Sequence, residues 1–122
     1  MSHRVLNPEQ FYYHGTVAHL PEEVTPGRKP IFPSDTEHGY VYATPHKSSA
    51  WNYAEKAWHA TDYGHPRVYK VSATGPMEVD PRRNVHEQLR SNYEGDVRSR
   101  HPLKVVSEEE MPEHMGRPED WR

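Results

Sequence analysis

The chain has no cysteine. That excludes disulfide staples and thiolate metal sites, and it suits a reducing compartment without proving one. No stretch approaches the eighteen or so apolar residues of a membrane span, and the polar start Met1-Ser2-His3-Arg4 lacks the apolar run of a secretory signal. A cytoplasmic protein with no membrane contact is expected. There is no glycine-rich phosphate fingerprint and no strand-helix-strand rhythm, so a doubly wound nucleotide-binding sheet is not indicated. Histidine is plentiful at ten, yet no two are three or four apart, so the helical His pair of zinc proteases is missing and no metal is expected. A basic excess is missing too. The net charge is −3, and Ser107 to Arg122 carries six acidic residues against two arginines, leaving 13 basic and 12 acidic residues in the body. A near-neutral body argues against a dedicated nucleic-acid binder, which needs a basic face to neutralise phosphates.

Apolar residues are also scarce. At 33% they fall below the ~45–50% of an average globular chain, while the 12 prolines exceed the usual ~5% about twofold, which predicts short elements joined by long ordered loops. The eight Tyr, three Trp and two Phe are interleaved with Val and Leu in short β-like runs, so the chain folds. One domain is expected over residues 1–122, with 107–122 an acidic tail that is a solvated end, Trp121 pinning it to the body.

The stretch with most chemistry is Tyr12-Tyr13-His14-Gly15-Thr16. A β-favouring run from Phe11 stops at a histidine, a glycine and a hydroxyl. A glycine without a Cβ lets a planar group lie against the backbone, and His14 offers a donor or acceptor at the same spot; the competing reading is a strand and a turn. Val17 to Leu20 reads as one helical turn. Pro21 to Asp35 reads as a long loop, either a ligand-covering segment or a wandering connection. Gly39 to Thr44 alternates as a strand, Thr44-Pro45 reads as N-cap and first helical position, and Ala50, Trp51, Ala54, Ala57 and Trp58 recur at helical spacing to about Ala60. Both tryptophans read as core. Arg67 to Ala73 is a further strand, and Met77 to Pro81 a short one whose Asp80 is set at its end by the proline; the competing reading is a turn carboxylate. A weak helical stretch near Asn84 to Arg90 and two β-like pieces, Asp96 to Ser99 and Leu103 to Val106, complete the pattern.

In that order, Tyr13-His14-Gly15-Thr16, Val41-Tyr42-Ala43-Thr44, Arg67-Val68-Tyr69-Lys70-Val71, Thr74-Gly75, Asp80-Pro81 and Arg98-Ser99-Arg100-His101-Pro102-Leu103-Lys104-Val105-Val106 resemble the rifampin ADP-ribosyltransferases across most of residues 11 to 108. The resemblance implies an α+β, compact ADP-ribosyltransferase fold: two small antiparallel β-sheets around an NAD cleft, with one main helix. It implies a catalytic triad of His14, Tyr42 and Asp80, with His14, Gly15, Thr16 and Tyr42 binding NAD, which is consumed as co-substrate. His14 then holds the adenosine ribose, and Gly15 backbone groups read the nicotinamide carboxamide. Tyr42 presents its ring to the nicotinamide, with Tyr40 or Tyr13 as partners on the other side, and Asp80 stabilises the sugar cation and accepts the proton of the attacking hydroxyl. The implied partner is a small-molecule acceptor, a rifamycin, modified by a monomer in a reaction that confers antibiotic resistance.

The chain departs from the family after Asp80-Pro81, where Arg82-Arg83-Asn84 and a different stretch to Val97-Arg98-Ser99 stand in place of an Asn and a lysine-rich, proline-containing segment before a Tyr-Arg-Ser. That departure bears on the acceptor side. A bulky apolar drug calls for an open cleft walled by aromatic and aliphatic groups. Phe32 beside Ile31 and Tyr93 are the substrate-binding candidates, although Ile31 and Phe32 equally suit a staple of the loop to the core. Two other classes stay open: the same fold acting on a macromolecule, as toxins, phage effectors or the tRNA 2′-phosphotransferases do, and a non-catalytic NAD-binding module. The scattered arginines Arg82, Arg83, Arg90, Arg98 and Arg100 make no basic groove for the RNA version.

Overall fold

A computed structural model describes residues 5–6, 10–19, 22–25, 39–62, 64–80 and 95–121. The strands are β1 (Val5–Leu6), β2 (Phe11–Thr16), β3 (Glu23–Val24), β4 (Val41–Ala43), β5 (Arg67–Ala73), β6 (Met77–Val79), β7 (Val97–Ser99) and β8 (Leu103–Glu108), with the helix α1 (Lys47–Thr61) between β4 and β5. They form two four-stranded sheets in the orders β1-β6-β7-β4 and β2-β5-β8-β3, all described pairings being antiparallel. This is the α+β arrangement of two small antiparallel sheets and one main helix expected above.

The sheets are two halves of one bent surface. Among the described residues their hinge is one bridge pair, Tyr13 and Thr44, which exchange backbone hydrogen bonds of 2.7 and 2.9 Å. Strand side chains alternate between faces, so one face carries Tyr12, Tyr69 and Val71 from the first half and Val41, Ala43, Met77 and Val97 from the second, all buried in one core. The other face carries Tyr13, Gly15 and Val68, and against it lies α1, whose Ala50, Trp51, Ala54 and Ala57 are buried at helical spacing. The helix ends where Asp62 enters the left-handed region (φ 50°, ψ 42°) and its N–H bonds the Trp58 carbonyl. Trp51 is buried. Trp58 is half-buried; its Nε1 donates to the Gly64 carbonyl and its ring meets Trp121 edge-on, centroids 4.9 Å apart.

Several sequence expectations change. The helical turn at Val17 is a bend, because the Thr16 hydroxyl oxygen accepts the Ala18 N–H two residues on and competes with a helical bond. The Pro21 to Asp35 loop contains β3, whose Val24 is buried against β8. Thr44 is not the helix cap: its backbone is spent on the hinge, and His46 takes the N-cap position without a side-chain cap bond. The acidic tail, most of whose described residues are exposed, is also tied to the body, with Trp121 against Trp58. Ser107 and Glu108 extend β8, Glu109 N–H bonds the Val68 carbonyl, and Met111 and Met115 pack on the helix cluster. The stretch Asn84 to Arg90 and the candidates Ile31, Phe32 and Tyr93 lie outside the described residues.

Candidate active site

Beyond the hinge, the two halves come apart. Continued antiparallel pairing would set Gly15 opposite Tyr42, since Tyr13 opposes Thr44. Instead the Nδ1–H of His14 donates to the Tyr42 carbonyl at 2.7 Å, so an imidazole stands where a backbone hydrogen bond would have closed the ladder. The result is a gap between β2 and β4. Because hydrogen-bonding direction alternates along a strand, Gly15 points its N–H and C=O the way Tyr13 does, into that gap and away from β5.

The His14 bond fixes a tautomer. With Nδ1 protonated and donating to a carbonyl, the neutral ring keeps Nε2 as an acceptor for a ligand hydroxyl. Burial pushes the His14 pKa below its ordinary 6.5, against the upward pull of the Tyr42 carbonyl, which favours the neutral ring near pH 7.

Gly15 has a reason the sequence did not disclose. A Cβ there would lie 2.0 Å from the Ala50 carbonyl oxygen and 2.9 Å from the Ala54 nitrogen, so the space is filled by the helix and is not offered to a planar ligand. What Gly15 offers is its peptide edge. Thr16 is buried, and its oxygen serves the turn to Ala18.

Tyr42 and Asp80 share the helix-bearing face of the second sheet, since their neighbours Val41, Ala43, Met77 and Val79 are buried on the other. Tyr42 opposes Arg98, which opposes Glu78; one pleat further on, Thr44, Asp96 and Asp80 make the next row, the Asp80 N–H donating to the Asp96 carbonyl at 3.0 Å. Asp80 thus stands at the strand end as its proline predicts, and it is 2% exposed. Two strands and two residues separate it from Tyr42, about 12 Å between backbones at ordinary sheet spacings. His14, the Gly15 peptide and the Tyr42 carbonyl meet at the gap, and Asp80 lies on the sheet face that Tyr42 occupies, two strands away.

Tyr40 does not stack parallel to Tyr42. A ring between two others needs them parallel and about 7 Å apart, whereas Tyr40 is tilted by 46° with its centroid at 6.4 Å from that of Tyr42. Tyr40 is instead covered by the guanidinium carbons of Arg98 and Arg100, 3.8 and 4.3 Å from its ring centroid, while Arg98 Nε bonds Glu78 at 3.3 Å. Tyr13 packs against the helix cluster, with the Lys47 ammonium 5.6 Å from its ring. The helix contributes a residue that sequence reasoning missed: the Tyr53 hydroxyl donates to the Asp96 carboxylate. Helical spacing shows which residues of α1 are buried, but not that a tyrosine beside that stripe reaches another strand.

A separate groove of about 500 Å³ runs between α1 and the C-terminal segment, lined by Lys47, Trp51, Glu55, Glu109 and Met115 among others. None of His14, Tyr42 and Asp80 lines it. Among the described residues no helix is long and apolar enough to cross a membrane, and no group of three or more His, Asp or Glu residues could hold a metal ion.

Comparison with curated proteins finds no match. A family model for rifampin ADP-ribosyl transferase matches residues 12–111, a span that runs from the strand bearing His14, through Tyr42, α1 and Asp80, to the segment that straps the helix down, and the chain belongs to that family.

Proposed function

We propose that this protein moves ADP-ribose from NAD to a hydroxyl of a rifamycin or a similar small molecule. The observation that carries the reading is the gap between β2 and β4, where one imidazole replaces a ladder bond and turns a glycine peptide edge toward a ligand. A carboxamide needs one donor and one acceptor side by side, which a single extended residue supplies. Gly15 fits that need. His14 Nε2 is an acceptor for a ribose hydroxyl, and the half-buried Tyr42 ring offers an aromatic face to the nicotinamide.

In the reaction, the bond between ribose C1′ and the nicotinamide nitrogen breaks with its electron pair leaving on nicotinamide, and the acceptor oxygen bonds to C1′ as it loses its proton. The chain's task is to orient the reactants and to stabilise positive charge on the sugar. Asp80, buried at the end of β6, is the carboxylate assigned to that charge and to the acceptor proton. Phe32 and Tyr93 are assigned to the acceptor's walls.

Incubation with NAD and rifampin, followed by mass spectrometry, tests the reading. Expected are free nicotinamide and a rifampin heavier by one ADP-ribose. Nicotinamide release without modified rifampin would retain the donor half and move the acceptor to another hydroxyl compound or a macromolecule. No nicotinamide release under any condition would overturn the reading.

A further inference from the structure

Asp96 is buried, at 6% exposure, on the same sheet face as Tyr42 and Asp80, and the assignment above gives it no role. It directly precedes β7, which lies between β4, which carries Tyr42, and β6, which Asp80 directly follows. Tyr42 is one strand and two residues away, about 8 Å between backbones, against about 12 Å for Asp80. Of the two aspartates, Asp96 is therefore the nearer to Tyr42 along the sheet backbone. The Tyr53 hydroxyl of α1 donates to its Oδ2, which fixes the carboxylate from the helix side, and its backbone carbonyl accepts the Asp80 N–H.

Asp96 and Asp80 are directly opposed on one sheet face. The fold keeps both, with a hydroxyl from the helix committed to one of them. A carboxylate held in place beside a reacting centre stabilises positive charge that develops there. We propose that Asp96 is a second carboxylate of the active site, held by Tyr53, whose charge acts together with Asp80 on the sugar cation formed over Tyr42. This rests on the NAD-cleaving reading given above. Tyr53 is the positioning residue of the pair.

The test uses the full chain and measures nicotinamide release from NAD without acceptor, together with melting temperature. Asp96→Asn keeps an oxygen that the Tyr53 hydroxyl reaches but removes the charge. The expected result is a fall in kcat of about tenfold or more, with KM for NAD within about twofold and an unchanged melting temperature. Tyr53→Phe, which keeps the charge and removes that one hydrogen bond, should lose less. If Asp96→Asn does not fold, Asp96→Ser removes the same charge and most of the bulk. Wild-type kcat in a folded neutral variant would show that Asp96 only staples the helix to the sheet, and would overturn the proposal while the NAD-cleaving reading stood. A wild-type protein that releases no nicotinamide would overturn both.

Discussion

His14 titrates in a direction that can be checked. Its pKa lies below the ordinary 6.5 chiefly through burial, so in acid the unfolded chain takes up a proton that the native chain resists. The stability this group contributes is complete above pH 6.5 and is lost as pH falls through the depressed folded value. Melting curves between pH 7 and 5 should therefore decline less steeply for His14→Gln than for wild type; His65, whose pKa is lowered by burial and by Arg67, leaves a residual slope of the same sign in both. For Asp80→Asn, the expected loss is about 10²-fold or more in kcat with NAD binding within a few-fold, because the carboxylate acts on charge present mainly in the transition state. Steady-state kinetics beside equilibrium NAD titration would reveal it, and near-wild-type turnover would remove Asp80 from its role. At Tyr42, the ring rather than the hydroxyl is assigned to nicotinamide, so Tyr42→Phe should retain most activity and Tyr42→Ala should not. Equal loss in the two variants would give the hydroxyl a role of its own.

Between elements, the decisive contact is that of β2 with α1. The glycine in the middle of the signature stretch lets the helix backbone close directly on the strand, and a methyl there would meet backbone atoms that cannot rotate away. Gly15→Ala should cost about 3 kcal/mol or more, at or beyond the usual range for overpacking. Chemical denaturation followed by circular dichroism would measure it, and a cost under ~1 kcal/mol would mean that helix and strand shift apart freely. The same contact brings Tyr53 over the second sheet toward Asp96. Helix position and site geometry are therefore one problem. Periodicity made α1 legible because its buried alanines and Trp51 recur every three or four residues. Its true start was not legible, because Thr44 has the chemistry of a cap and is drawn instead into the hinge with a strand thirty residues earlier.

Across the whole molecule, the acidic C-terminal segment acts as a strap. Glu108 pairs with Arg67 at 3.1 Å and Glu109 with Lys47 at 2.8 Å, both at partly exposed positions where such pairs are worth little. The apolar contacts matter more. Trp121 meets Trp58 edge-on and donates its Nε1–H to the Met115 carbonyl, tying the C-terminal segment to the last turn of the helix. Trp121→Ala should lower stability by about 1–2 kcal/mol, the scale of one aromatic pair with its burial, while leaving nicotinamide release unchanged. Thermal melts and the release assay separate these effects. A loss of kcat with unchanged melting temperature would mean that the strap reaches the site.

By itself, the sequence determined the kinds of element and the absence of cysteine chemistry, and it made His14, Tyr42 and Asp80 candidates, because strand alternation, helical spacing and ordered motifs are local or carried by residue type. It also placed Asp80 at a strand end, since a following proline removes a ladder donor wherever the strand lies. The two-residue strands β1 and β3 were illegible, because two residues have no period and only a partner strand makes them β. Likewise, Gly15 read as room for a ligand until the helix was seen to fill that room. The gap itself belongs to tertiary structure alone. It exists because one side chain, from a strand whose own pairing lies elsewhere, takes the carbonyl that would have continued the ladder, and no local pattern in either strand encodes that exchange.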